Sequence, residues 1–229
     1  MIYKLAPIVL FVLFSFKTNS KHKNFPISSD FKTVSTTPDS HKELVALYDN
    51  LNAQNFTHPS QESFINAIEG YRQLKKEGAI QKDIITLIDF SLSANQKRLW
   101  VIDLQKNSII FQSLVAHGRN SGYEFATSFS NTPESHQSSL GFYATGETYY
   151  GKHGYSLRLD GLEKNINHNA RKRAIVIHGA SYVSDTFINQ NGRLGRSFGC
   201  PALPKEQSKE LINLIKDKSC LYIYYPDTL

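Results

Sequence analysis

The feature that most constrains the fold is the change in apolar period at Asp83. From there, apolar residues recur at every second position in short runs such as "DIITLIDF" (83–90) and "SIIFQSLVAH" (108–117). Side chains of a β-strand alternate between two faces, so these runs predict strands with a buried side. Similar runs are "RLWVIDL" (98–104), "LGFYATG" (140–146), "YSLRLD" (155–160), "RAIVIHG" (173–179) and "CLYIYYP" (220–226). The sequence therefore predicts a mainly β domain, sandwich or barrel-like, with peripheral helices.

Helical patterns precede and interrupt this series. Ser40 and Glu43 have the spacing of a capping box, and "HPSQES" (58–63) is a second helix-start signal. Gly78 suits the end of that second helix. A further helix is predicted near 205–217. The domain is therefore expected to follow a short helical segment, 40–80, whose apolar stripes either pack on the sheet or form a partner surface.

The N-terminus predicts export. One positive charge in "MIYK" precedes an apolar run from Leu5 to Phe16, which is shorter than the roughly 20 residues of a membrane-spanning helix. Small residues at Thr18 and Ser20 permit cleavage after Ser20, so 1–20 is interpreted as a signal peptide, with an uncleaved anchor as the alternative. The polar, Ser/Thr-rich residues 21–39 are interpreted as a linker.

Charge and cysteine content narrow the function. The net charge of +6 falls to +4 once Lys4 and Lys17 leave with the signal peptide, which permits an anionic cell-wall partner. The longest basic run is "RKR" (171–173), so nucleic-acid binding is not expected. Two cysteines, Cys200 and Cys220, do not make a disulfide scaffold.

Cys200 lies in "RSFGCPALP" (196–204), a loop-like setting. Gly199 leaves room for an approaching carbonyl group, and the consecutive amides of Gly199 and Cys200 suit an oxyanion hole. Arg196 favours a thiolate, and Ser197 adds a hydroxyl group. These residues make Cys200 a candidate nucleophile.

His178 ends the buried run "AIVIHG" and is the candidate base for the Cys200 thiol. Other readings remain open: inert packing of Cys200, a Cys200–Cys220 disulfide in an exported protein, or a structural His178. A zinc site would combine Cys200 with residues drawn from His178, His117, His136 and His153. The chain lacks the Cys-x-x-Cys, His-x-His and His-Glu-x-x-His spacings, so neither metal nor cofactor is expected.

"IHG" (177–179) precedes "RSFGC" (196–200), with eighteen residues between His178 and Ser197. These motifs resemble the L,D-transpeptidase catalytic domain (YkuD-type) of bacterial cell-wall enzymes. Within that family, the motif resembles a divergent branch of exported, murein L,D-transpeptidase-like proteins with Gly-Arg-Ser-x-Gly-Cys-Pro-Ala. "SLGFY" (139–143) resembles the glycine-aromatic pattern of the family. The resemblance covers roughly 83–225.

The resemblance implies roles for individual residues. Cys200 would be the nucleophile, His178 its base, and the carbonyl group of Gly179 the third member of the catalytic set. The Gly199 and Cys200 amides would stabilise the oxyanion. The remaining candidate substrate-binding residues are Ser197, Arg196, His117, Ser139 and Tyr143. The sequence departs from the family at Phe198, where a histidine is usual, and at Ala202, where an arginine often stands.

The implied function is an exported cysteine acyltransferase that crosslinks peptidoglycan stem peptides through a thioester. L,D-carboxypeptidase activity at the same site, or non-catalytic peptidoglycan binding, are the alternatives. The expected organisation is a signal peptide (1–20), a linker (21–39), a helical segment (40–80) and an L,D-transpeptidase-like catalytic domain (81–229). We expect a monomer in the periplasm or cell envelope that meets the membrane only through its signal peptide.

Overall fold

The computed structural model of this chain describes residues 38–226. In that span the helices are α1 (Pro38–Asp49), α2 (Gln61–Lys76), α3 (Asp185–Asn191) and α4 (Lys205–Ile215). The strands of the same span are β1 (Ile84–Asp89), β2 (Leu99–Asp103), β3 (Ser108–Ser113), β4 (Gly141–Gly151), β5 (Gly154–Gly161), β6 (Val176–Ala180), β7 (Ala202–Pro204) and β8 (Cys220–Tyr224). The predicted signal peptide lies outside the described residues, as does all of the predicted linker except its last two positions.

The eight strands of the described region form one sheet in the order β3-β2-β1-β8-β4-β5-β6-β7. Neighbouring strands are antiparallel except for the parallel pairs β1 with β8 and β6 with β7. The chain after β3 reaches the opposite end of the sheet, where Ala116 and Ala202 exchange backbone hydrogen bonds of 2.9 and 3.4 Å. The sheet is therefore nearly closed, which confirms the predicted mainly β, barrel-like class.

Different helices cover the two faces of the sheet. Along β8, Leu221 and Ile223 join one apolar cluster while Cys220 and Tyr224 join another, as the alternation of strand side chains requires. The first cluster includes Leu211, Ile212 and Ile215 of α4. The second includes residues of α1 and α2, such as Leu44, Phe64, Ile68 and Leu74. The N-terminal helices thus bury their apolar stripes on the sheet.

Helix α2 lies especially close to the sheet. Its N-cap is Ser60, whose hydroxyl oxygen accepts a hydrogen bond of 3.2 Å from the Ser63 amide, and this confirms the predicted start signal. At Gly70 an added Cβ would lie 2.0 Å from Cζ of Phe142 in β4. Glycine at this position therefore lets α2 lie directly against the sheet.

Some elements differ from the sequence-based expectations. Helix α1 begins at Pro38, so Ser40 lies inside its first turn instead of at its cap. Helix α3 and the short strand β7 are additional elements, and the β4–β5 hairpin continues to a tip at 151–154. Among the helices of residues 38–226, none has the length and apolarity to cross a membrane.

Candidate active site

Cys200 lies in a tight turn directly before β7. The Ser197 hydroxyl group closes this turn, because its oxygen accepts from the Gly199 amide at 3.1 Å and it donates to the Cys200 carbonyl oxygen at 2.6 Å. Gly199 has φ +119, and an added Cβ would lie 2.7 Å from the Gln137 carbonyl oxygen. Both the backbone conformation and the close contact therefore require glycine before the cysteine.

The Cys200 thiol is half-buried and contacts the backbone beside β6. Its Sγ accepts from the Val176 amide at 3.5 Å and donates to the Ala174 carbonyl oxygen at 3.7 Å. Burial raises the pKa of Cys200, while the Val176 amide and the positive charge of Arg173 act in the opposite direction. Because the net shift is upward, the resting sulfur is a thiol that needs a base before it can attack.

His178 is a buried residue in the middle of β6. Its Nδ1 lies 3.0 Å from the Gly179 carbonyl oxygen. Since a carbonyl oxygen only accepts, Nδ1 must carry the hydrogen and Nε2 the lone pair. Burial lowers the pKa of His178, with a smaller contribution from His153 in the same direction. At neutral pH the ring is therefore a neutral base.

The register of β6 and β7 brings these two residues to one place. His178 pairs with Ala202 in this parallel ladder, and continuing the register back by two positions sets Cys200 beside Val176. Val176 and His178 share a face of β6 because they are two residues apart. Within residues 38–226 the hydrogen-bond partners of Sγ are main-chain atoms, not the imidazole ring. Direct proton transfer therefore requires the Cys200 side chain to turn toward His178.

Arg173 joins the upstream loop to the cysteine turn. Its guanidinium group donates to the carbonyl oxygens of Ser130 and Gln137 at 2.7 and 2.6 Å. It also donates to the hydroxyl oxygens of Ser139 and Ser135 at 2.5 and 3.2 Å. A Cβ added at Gly199 would lie 3.3 Å from Nη2 of Arg173, so the guanidinium group lies against the cysteine turn.

Two further residues lie near the candidate pair, His153 beside His178 and Tyr182 near Cys200. The His153 ring, at the tip of the β4–β5 hairpin, stacks on the His178 ring. Burial, followed by the charge of the nearby Cys200 thiolate, raises the pKa of Tyr182 to about 12. Sequence reasoning missed Arg173 and Tyr182 as site residues and considered His153 only for zinc. The available signals were the basic run 171–173 and the proximity of Tyr182 to His178 in the chain.

Three predicted substrate-binding residues have their side chains in the interior. Ser139 is held by Arg173, and the Tyr143 hydroxyl group donates to the Ser139 carbonyl oxygen at 3.0 Å. The His117 ring accepts from Arg98 at 2.8 Å and is fully buried. Burial, then the charge of Arg98, lowers the pKa of His117 to about 3. These side chains support the fold around the site and do not line an open surface.

Arg196 differs from those three residues because it reaches the surface. Its Nη1 donates to the carbonyl oxygens of Arg119 and Gly122 at 3.0 and 2.8 Å, and its guanidinium carbon lies 4.6 Å from the centroid of the Tyr123 ring. The side chain is therefore held in place with donors remaining for a ligand.

The two cysteines have separate environments. Cys220 is fully buried in the cluster beneath α1 and α2, whereas Cys200 packs against the cluster on the other face of the sheet. Both are free thiols in the structure. No group of three or more His, Cys, Asp or Glu side chains within the described residues has a metal-binding arrangement.

A family model described as the L,D-transpeptidase catalytic domain matches residues 56–224, which include α2 as well as the sheet. The chain therefore belongs to the L,D-transpeptidase catalytic domain family, whose members are acyltransferases of the cell envelope that act on peptidoglycan stem peptides. No curated protein matches the chain.

Several solved L,D-transpeptidases are similar to this chain at low identity and with TM-scores below 0.5. One from Mycobacterium smegmatis is 8% identical, with a TM-score of 0.40 over 62% of this chain and 59% of that one. L,D-transpeptidase 1 of Mycobacterium tuberculosis is 10% identical, with a TM-score of 0.36 over 62% of each chain. One from Xylanimonas cellulosilytica is 12% identical, with a TM-score of 0.39 over 87% of this chain and 99% of that one. The match thus spans about three fifths of the mycobacterial chains.

Proposed function

We propose that the chain is an exported L,D-transpeptidase that crosslinks peptidoglycan stem peptides through a thioester on Cys200. The observation that carries this proposal is the placement of Cys200 and His178 by the β6–β7 register, with the lone pair of His178 on Nε2. Family membership supplies the substrate class. The predicted signal peptide and the cell-envelope setting of the family support export.

The first half-reaction forms the thioester. Nε2 of His178 takes the proton from Cys200. The sulfur then attacks the carbonyl carbon of the third stem residue, a diamino acid, at its bond to the terminal D-amino acid. The Cys200 amide would meet the oxyanion. The Gly199 amide donates to Ser197 and would have to share that bond to serve as a second donor. Collapse of the intermediate breaks the peptide bond, and the terminal D-amino acid leaves with the proton from His178.

The second half-reaction transfers the acyl group. The side-chain amine of another stem attacks the thioester carbonyl carbon and loses a proton to His178, which returns it to the Cys200 sulfur. The product is a crosslink between the third residues of two stems. Attack by water instead makes the same site an L,D-carboxypeptidase. The neutral form of His178 suits both attacks because a base is needed in each.

Acylation by a carbapenem tests the nucleophile. An L,D-transpeptidase structure has been described in complex with imipenem. We expect the intact mass of this protein to increase by one imipenem adduct under reducing conditions. Cys200→Ala should abolish the adduct, whereas the matched variant Cys220→Ala should retain it. An unmodified wild-type protein that still shows a folded thermal transition would contradict the catalytic proposal and favour a non-catalytic peptidoglycan-binding module.

A second assay separates the two activities. The protein is incubated with a stem tetrapeptide, and the products are weighed. A crosslinked dimer that disappears with Cys200→Ala supports transpeptidation, whereas a tripeptide alone identifies a carboxypeptidase. Release of neither product would overturn both activities for this substrate.

A further inference from the structure

A cluster of arginines and exposed aromatic rings lies on the same loop as Cys200. We define the arginine–aromatic patch as Arg119, Tyr123, Arg193, Arg196 and Phe198. Tyr123 is 73% exposed and Phe198 is 61% exposed, which is unusual for such large apolar rings. Exposed rings beside a candidate active site suit contact with a ligand.

The patch carries uncompensated positive charge. Arg193 and Arg196 lie over the Tyr123 ring at 5.7 and 4.6 Å, and Arg119 lies over the Phe198 ring at 5.7 Å. None of the three arginines forms an ion pair within residues 38–226. Burial and the nearby charges of Arg193 and Arg119 lower the pKa of Arg196. Three mutually repelling cations therefore face solvent without an acidic partner.

Most of the guanidinium donors remain available. Arg196 uses Nη1 for two carbonyl oxygens, and Arg193 uses Nη1 for the Leu194 carbonyl oxygen at 2.9 Å. Each guanidinium group has five N–H donors in a planar fork that matches a carboxylate. Glu124 accepts from the Ser93 hydroxyl group at 2.5 Å and forms no ion pair with these arginines in the described part of the chain.

The patch is fixed close to the nucleophile. Phe198 is two residues from Cys200, which limits their Cα atoms to a separation of about 7 Å. The Arg119 amide donates to the Ser197 carbonyl oxygen at 2.8 Å, so its segment is tied to the cysteine turn. The Phe198 ring also stacks on His136 with centroids 4.6 Å apart. The patch therefore borders the cysteine turn.

We propose that the arginine–aromatic patch is a subsite that binds the free carboxylates of the stem peptide, with the two rings contacting its aliphatic parts. This inference rests on the proposed function for the substrate, and charge complementarity selects the occupant. The donor stem brings a C-terminal carboxylate to within a few ångströms of the sulfur, and a planar guanidinium fork binds it better than a lysine would.

Binding of a synthetic stem tetrapeptide to the Cys200→Ala protein tests the subsite without turnover. We expect Arg119→Gln or Arg193→Gln to raise Kd by about fivefold each, as for exposed ion pairs, and the double variant by more. Arg193→Lys should restore part of the affinity. The same peptide with its carboxylates amidated should bind weakly and with an unchanged Kd in all variants. Equal effects on the free and amidated peptides would overturn the carboxylate assignment.

Two controls keep this test separate from the proposed function. Alkylation of Cys200 by neutral iodoacetamide should proceed at wild-type rate in Arg119→Gln and Arg193→Gln, which shows an intact turn. If imipenem fails to acylate Cys200 but tetrapeptide binding still depends on the arginines, the catalytic proposal falls and the subsite stands. If acylation is normal and binding ignores the arginines, the subsite falls. Equally arginine-dependent binding of inorganic polyphosphate would show a general anion surface and would also overturn it.

Discussion

The imidazole ring of His153 stacks on that of His178, with centroids 4.2 Å apart and planes inclined by 22°. This contact places the tip of the β4–β5 hairpin over the candidate base. It contributes to the burial that lowers the pKa of His178, and the charge of His153 acts in the same direction.

The pH below which activity is lost, the acid limb of the pH profile, should depend on this contact between His153 and His178. His178 must be neutral to accept a proton, so activity is lost as pH falls through its pKa, below the ordinary value of 6.5. His153→Phe keeps a stacked ring but removes the charge, so the pKa of His178 should rise slightly and the acid limb should move to slightly higher pH. His153→Ala also uncovers the ring and should move it further toward 6.5. The pH dependence of imipenem acylation measures both shifts, and a downward shift in either variant would contradict this role for His153.

Arg173 should stabilise the folded protein and also favour the thiolate form of Cys200. Arg173→Gln removes the charge, so the pKa of Cys200 should rise and alkylation by iodoacetamide at pH 8 should slow severalfold. Arg173→Lys keeps the charge but loses the fork that joins four partners, so its melting temperature should fall while the alkylation profile stays nearer to wild type. Identical alkylation profiles for the Gln variant and the wild type would remove the electrostatic role.

Gly199→Ala should lower the free energy of unfolding more than Gly78→Ala does. The backbone conformation alone costs about 1–3 kcal/mol for a residue with a side chain. The close Gln137 carbonyl oxygen adds to this cost. Gly78→Ala is the matched control, because φ is +76 there and nothing lies within 4 Å of the added Cβ. Urea unfolding of both variants measures the difference, and equal losses of stability would show that the cysteine turn yields to the new methyl group.

His117 should make stability depend on pH. Its folded pKa of about 3 lies below the unfolded value of 6.5, so the unfolded chain binds more protons between these limits. The contribution to stability is therefore complete above pH 6.5 and falls toward pH 3, with a slope of up to about 1.4 kcal/mol per pH unit. Urea unfolding at several pH values should show this slope flattened in His117→Gln. An unchanged slope in that variant would assign the acid sensitivity to other groups.

The sequence predicted the parts of the fold in which local pattern and tertiary structure agree. Alternating apolar residues located β1, β2 and β3, and the Ser60 cap located the start of α2. Strand β7 has three residues and depends on pairing with β6, so it has no periodicity of its own. Helix α3 has no buried residue, and therefore no apolar stripe could predict it.

Residue type singled out the candidate nucleophile and base, but it did not reveal the residues packed around them. A cysteine after glycine and a histidine at the end of an apolar run are unusual enough to single out Cys200 and His178. The hydroxyl group of Tyr143 suggested substrate binding, but its burial follows from strand pairing that residue type cannot reveal. The role of Arg173 was hidden because its partners lie 34 to 43 positions away in the chain.

The closure of the barrel has a consequence for the position of the nucleophile. Ala202 exchanges two backbone hydrogen bonds with Ala116, and Ser197 makes two more, accepting from the Arg119 amide and donating to the His117 carbonyl oxygen. Cys200 lies between Ser197 and Ala202, so both ends of its turn are anchored to the same neighbouring segment. The contacts that close the sheet therefore also fix the backbone from which the sulfur projects.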